Sequence, residues 1–148
     1  MSGADCSGGL CTSNTCVPVK LSRTTWILTA SSNQGQISYA IDGDPTTRWN
    51  TGLNQVPGMW FKIDMQQPQL FFSVVLDAQN FPTDGPVLFD VYLSNDGNFS
   101  MPTKAGLPGS PVTTIDFGGE QLVRYIYIVL RGSTNSTWWS IDEVNAFR

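Results

Sequence analysis

The chain has 148 residues, enough for one domain with a core of its own, and only 14% of them are charged, twelve acids against eight bases for a net −4. It contains no histidine, so it lacks the commonest general base and transition-metal ligand. No basic block would hold a phosphate backbone, which argues against nucleic acid. No apolar run approaches the ~20 residues of a membrane helix.

Residues 1–16 read as a Gly/Ser/Asn-rich leader with Cys6, Cys11 and Cys16 at even spacing. That pattern suits a remnant of a disulfide-bonded motif, since three thiols without a fourth ligand do not complete a structural zinc site. An odd number leaves at least one thiol unpaired within the chain. The start, Met1-Ser2-Gly3-Ala4, lacks the basic and apolar segments of a signal peptide. The reading is a module excised from a larger secreted protein, with residues 17–148 as its folded part.

From Val17 onward the sequence reads as short strands separated by turn residues. Trp60 to Met65 alternates, with Phe61, Ile63 and Met65 on one face. A second strand, Leu70 to Asp77, would turn Leu70, Phe72, Val74 and Leu76 inward. Val87, Phe89, Val91 and Leu93 repeat the pattern, and Ser94-Asn95-Asp96-Gly97 closes that strand with a turn. Val123 to Leu130 is apolar throughout except for Arg124 and the tyrosines' hydroxyls, as a strand covered on both faces would be. Arg124 itself reads as a structural partner for a carboxylate or carbonyl. No 3.6-residue apolar period persists for three turns. The expected fold is all-β, an antiparallel jelly-roll β-sandwich whose function lies in its rim loops.

The last segment holds a change of phase. Trp139 and Ile141 share one face by period two, whereas Val144 and Ala146 have the other parity, which predicts a β-bulge at Asp142-Glu143. An acidic pair there is a candidate metal position. A second acidic cluster is Asp42-Gly43-Asp44-Pro45-Thr46-Thr47, rich in the oxygen ligands that calcium takes. Taken alone, it reads first as an Asx turn that satisfies its own backbone.

Trp138-Trp139 is the candidate binding feature. Adjacent strand residues point to opposite faces, so Trp139, in phase with Ile141, turns inward and Trp138 faces the rim. An exposed indole offers the flat apolar surface that stacks on a pyranose ring. If parity fails, Trp139 is the platform instead. Trp26, Trp49 and Trp60 sit within strand patterns or beside the acidic loop and are assigned to the core.

Six motifs occur in one order: Ala30-Ser31-Ser32; Ala40-x-Asp42-Gly43-Asp44-x-x-Thr47-x-Trp49; Trp60-Phe61-x-Ile63-Asp64; Val91-Tyr92-x-Ser94-Asn95-Asp96-Gly97; Arg124-Tyr125-Ile126; and Ser140-Ile141-x-Glu143-Val144. Together they resemble a discoidin domain, also called the coagulation-factor type C domain, and most closely its bacterial members among family 32 carbohydrate-binding modules. The resemblance implies an eight-stranded jelly roll with a structural calcium between the Asp-Gly loop and the last strand. Carried onto this sequence, Asp42, Thr47 and Glu143 would ligate through side chains, and Tyr39, Asp44, Thr47 and Asp142 through carbonyls. It also implies sugar stacking on Trp138.

Galactose-binding relatives add a His and an Arg, but here His is absent and the expected loop reads Asp77-Ala78-Gln79-Asn80-Phe81. Gln79, Asn80 and Asp84, with Asn50 and Asn54 from a neighbouring loop, are the candidate polar contacts. The expectation is a secreted, non-catalytic, lectin-like module of a glycan-degrading enzyme that binds a polysaccharide, glucan-type favoured. Asp64, Asp77, Asp84, Asp90 and Asp116 form no recognisable catalytic pair. Adhesion to protein or lipid is the alternative, with Leu53, Val56 and Met59 as candidate spikes, although negative charge and scarce lysine argue against a membrane. The sequons at Asn98 and Asn135 would matter only in a eukaryotic secretory host.

Overall fold

The protein is described by a computed structural model that covers residues 10–12 and 15–148, with side chains from residue 17 onward. β1 (Leu10–Thr12) and β2 (Thr15–Val17) form an antiparallel hairpin with Cys11 opposite Cys16 in the backbone register. Cys6 and the side chains of Cys11 and Cys16, on which the disulfide reading rests, lie outside the described residues. Past the hairpin the chain joins its own C-terminus. The Val19 and Arg148 backbones exchange hydrogen bonds of 2.8 and 3.0 Å, and Leu21 N–H donates to Ala146 O at 2.9 Å.

Two long strands, β5 (Trp60–Asp77) and β8 (Val112–Leu130), pair antiparallel from Trp60↔Val129 to Asp77↔Val112. Register shifts between Asp64 and Gln69 and between Phe71 and Ser73 divide this ribbon into two halves. One half of β5 pairs with β3 (Ile27–Ala30), and the matching part of β8 pairs with β6 (Phe89–Ser94), which pairs with β7 (Lys104–Leu107). The other half of β5 pairs with β10 (Glu143–Phe147). Two short strands, β4 (Trp49–Asn50) and β9 (Ser140–Ile141), pair with each other at the rim. Strands β3 to β10 thus form the expected antiparallel sandwich, of jelly-roll class.

The core follows the period-two pattern. Phe61, Ile63 and Met65 of β5, Phe89 and Val91 of β6, and Ile126, Ile128 and Leu130 of β8 are all fully buried. Trp49 packs at 5.0 Å on Phe61 and edge-on at 5.2 Å against Trp139. The Ser94–Gly97 turn closes β6 as expected. Ser94 Oγ accepts from the Asp96 and Gly97 N–H groups, and Gly97 adopts φ 81°, open to glycine without strain.

Four expectations need correction. The two strands expected at Trp60–Met65 and Leu70–Asp77 are one bent strand. Its bend is set by Gln66 at φ 71°, whose N–H donates to Asp64 Oδ1 at 2.8 Å, with Pro68 unable to donate to a ladder. The slip at Phe71 puts that ring in the core and leaves Leu70 and Phe72 half-buried, while Val74 and Leu76 point inward as predicted. Next, the bulge predicted at Asp142-Glu143 is a change of partner. β9 pairs with β4 and β10 with β5, so each side keeps its own parity. Third, Gln34–Ile41 forms a 3-10 segment. Ile37, Ala40 and Ile41 pack it on the core, and Gln34 ties down its start, accepting from Ala30 N–H and donating to Leu28 O, both at 3.0 Å. Finally, Trp26 and Trp49 are buried as assigned, but Trp60 is only half-buried and packs at a tilt against Tyr127 on the outer face of the sheet.

Candidate functional site

At the rim a cleft of about 380 Å³ is lined by Arg48, Asn80, Phe81, Pro82, Thr83, Asp84, Ser136 and Trp138. Strand β4 buries Trp49 completely and so turns its neighbour Arg48 outward. The Arg48 guanidinium lies 3.4 Å from the Phe81 ring centroid and 5.6 Å from that of Trp138. Its Nη1 donates to Asp84 Oδ2 at 2.8 Å and to Ser140 Oγ at 3.3 Å, and Ser140 Oγ donates to the same Asp84 oxygen at 2.8 Å. A buried carboxylate thus anchors the cation beside two aromatic rings, through Nη1 alone.

The tryptophan pair, just before β9, divides between core and rim as the sequence suggests. Trp138 is 39% exposed, and Trp139 is fully buried. The rim loops that carry these groups are pinned by Gln55, which is 1% exposed. Its Nε2 donates to Gly85 O and Trp138 O, each at 2.9 Å, and its Oε1 accepts from Val87 N–H at 2.8 Å. Thr51 adds a second tie, with Oγ1 accepting from Trp139 N–H at 3.1 Å.

The cleft brings together Trp138, Asn80 and Asp84 of the residues predicted from sequence. The other polar candidates do not line it. Gln79 is exposed, with its backbone N–H on Asp77 Oδ1. Asn54 donates to Asn135 O at 2.9 Å. Asn50 is 9% exposed, with its amide turned to Gln36 and its oxygens receiving Asn33. Sequence reasoning missed Arg48, Phe81 and Gln55. The one available signal was that Arg48 precedes an inward-facing tryptophan.

Beside this cleft the Asp-Gly loop meets the last strand, where Gly43 N–H donates to Glu143 Oε1 at 2.6 Å. Thr47 Oγ1 sits 2.7 Å from Asp42 Oδ2 and 2.9 Å from the Asp44 carbonyl oxygen. Asp44 N–H also donates to Asp42 Oδ1 at 2.8 Å, the Asx turn that the sequence allows, and the hydroxyl, carboxylate and carbonyl oxygens gathered here are of the kind calcium takes. Glu143 also pairs with Arg23, which bonds Val144 O at 2.8 Å as well. The Asp44 carboxylate caps Thr46, whose side-chain and backbone hydrogen bonds hold it below the usual carboxylate range. Asp142 is fully buried and accepts from Asn80 N–H at 3.1 Å, so it supports the rim loop. Burial pushes its carboxyl above the usual range. Tyr39, the remaining expected carbonyl donor, lies in the 3-10 segment just before the loop. Among the described residues, no three His, Cys, Asp or Glu side chains cluster, so a cation here would depend on hydroxyl and carbonyl oxygens as well.

This antiparallel sandwich shares its fold with solved family 32 carbohydrate-binding modules. The chain belongs to the F5/8 type C domain family, whose model matches residues 27–144. Solved structures share the fold at low identity. One is the family 32 module of Clostridium perfringens NanJ in complex with galactose, at 19% identity and TM-score 0.70, covering 89% of this chain and 100% of that one. Another C. perfringens family 32 module, in complex with GalNAc-β-1,3-galactose, is 18% identical with TM-score 0.71, covering 88% and 100%. A chitosan-binding module from a Paenibacillus sp. IK-5 chitosanase/glucanase is 20% identical with TM-score 0.63, covering 82% and 93%. No curated protein matches the chain at a significant level.

Proposed function

We propose that the chain is a non-catalytic module that binds a polysaccharide at the rim cleft, in the service of a secreted glycan-degrading enzyme. The carrying observation is the exposed Trp138 indole beside an Arg48 clamped by Asp84. Trp138 stacks on the C–H face of a pyranose, and the free Arg48 N–H groups, Asp84 Oδ1 and the Asn80 carbonyl bond its hydroxyls. The three acids at Asp64, Asp84 and Asp90 are each occupied by an arginine, which suits structure and recognition rather than paired-carboxylate hydrolysis.

A glucan-type ligand with equatorial hydroxyls is the preferred class. No histidine exists to contact an axial hydroxyl, and the loop at residues 77–81 carries no arginine. That three similar folds were found with galactosides or in a chitosan-binding module supports a saccharide without fixing which one. A pull-down panel of insoluble glucans, galactans and chitosan against the pure protein tests the preference. Retention on glucan and not on galactan is expected, and the reverse would overturn it.

Calcium is the second element of the proposal. Asp42, the Asp44 carbonyl and Thr47 would hold it, with Glu143 reaching from the last strand and the Tyr39 and Asp142 carbonyls nearby. Bound there, the ion would brace the Asp-Gly loop, and with it Arg48 at the loop's end, against the sandwich.

A further inference from the structure

The outer face of the sheet carries a second cleft, of about 440 Å³, none of whose residues lines the rim cleft. Period two places Trp60 and Lys62 of β5 beside Tyr127 of β8, on the face turned away from Phe61 and Ile63. Trp60 and Tyr127 lie 5.7 Å apart, and the loop after β6 folds Phe99 back over Tyr127, stacked at 4.8 Å. Trp60, Tyr127 and Phe99 line the cleft together with Lys62, Gly97 and Asn98. All three rings remain partly exposed. A core function would have buried them, and a plain solvated face would not gather three aromatic rings around a cavity.

The charges are uneven. Lys62 Nζ hangs 5.9 Å from the Trp60 ring and forms no ion pair among the described residues. The neighbouring acid on the same face, Asp64, is neutralised by a two-pronged contact with Arg124 at 2.8 and 3.0 Å. Four arginines are matched to carboxylates, whereas this cleft keeps an uncompensated positive charge on a protein of net −4. Asn98 gives its amide to Asp96 at 3.0 Å and keeps its side-chain oxygen free to accept from a hydroxyl.

We propose that this cleft binds a carboxylated pyranose, a uronate unit of an acidic polysaccharide, with its ring against Trp60 and Phe99 and its carboxylate on Lys62. Aromatic stacking supplies the contact area, and the lone ammonium supplies the preference for an acidic over a neutral sugar. The two clefts share no residue, so the chain would hold a mixed polysaccharide surface at two points, with the gain in avidity that two linked contacts bring.

The probe is a soluble oligogalacturonate, titrated calorimetrically into the wild-type protein, Lys62→Gln, Phe99→Ala and Trp138→Ala. Lys62→Gln and Phe99→Ala should each weaken its binding about tenfold, with unchanged melting temperature for Lys62→Gln, and leave neutral glucan binding intact. Trp138→Ala should leave oligogalacturonate binding intact, so failure of the rim reading and failure of this one are told apart. Binding that survives both cleft substitutions but is lost in Trp138→Ala would place the acidic sugar at the rim and overturn the proposal. No detectable binding to the wild-type protein at low salt would overturn it as well.

Discussion

Replacing Gln55 with Leu tests whether the rim cleft is held in shape from below. The side chain is almost completely enclosed and makes three hydrogen bonds to main-chain groups, Gly85 O, Trp138 O and Val87 N. Leucine keeps most of the volume and satisfies none of these groups. Three bonds at about 1 kcal/mol each predict a loss of about 3 kcal/mol, with more if water cannot reach the orphaned groups. Both loops that Gln55 joins carry cleft residues, Phe81 to Asp84 on one side and Ser136 to Trp138 on the other. Polysaccharide affinity should therefore fall at temperatures where the variant is still folded. Urea denaturation gives the stability, and affinity electrophoresis in glucan-containing gels gives the binding. A loss below about 1 kcal/mol with wild-type retardation would refute the view that Gln55 organises the site.

Three further outcomes are expected. Trp139→Ala removes a fully buried indole packed on Trp49 and Phe61 and should cost roughly 3–5 kcal/mol by calorimetry or denaturant titration. Excess chelator should lower the melting temperature by several degrees as the calcium-bound native state loses its ligand, and an unchanged curve on metal-free protein would remove the ion from the account. Stability should also fall in acid. The Arg124 hydrogen bonds hold Asp64 below the ordinary carboxylate value; burial raises Asp90, but Gly106 N–H and Arg131 outweigh it; Asn98, by its backbone and then its side chain, with Ser94, draws Asp96 down to about 2. With folded values below unfolded ones, this stability is complete above the unfolded carboxylate value of 3.8 and disappears as pH falls through the folded values. A melting temperature that rises on acidification through that range would contradict those ion pairs and hydrogen bonds.

How far the sequence could be read depended on the range of the interactions involved. Alternation in Phe61-Lys62-Ile63-Asp64-Met65 and the turn at Asp96-Gly97 are local signals, and the structure follows both. Arg124 as a structural partner was legible because a lone charge in an apolar strand needs a counter-ion, which Asp64 supplies across the ladder. The slip at Phe71 was not legible, because a register shift is settled by how β5 fits β8 and β10 together. Arg48 joined the site only through Asp84, 36 residues away, and through a Phe81 ring that no periodicity marks. The phase change near Asp142 was visible, yet its cause was not. Parity alone cannot separate a bulge from a strand that changes sheets.

The central claim is that Trp138 is the saccharide platform while Trp139 serves the core. It is tested most directly by titrating a soluble glucan oligosaccharide into wild-type and Trp138→Ala protein while following tryptophan fluorescence. Trp138→Ala should fold with a wild-type melting temperature and bind more weakly by about 1–3 kcal/mol, the loss expected of an exposed aromatic anchor. Undiminished binding by Trp138→Ala would contradict the account and move the saccharide site away from the rim cleft.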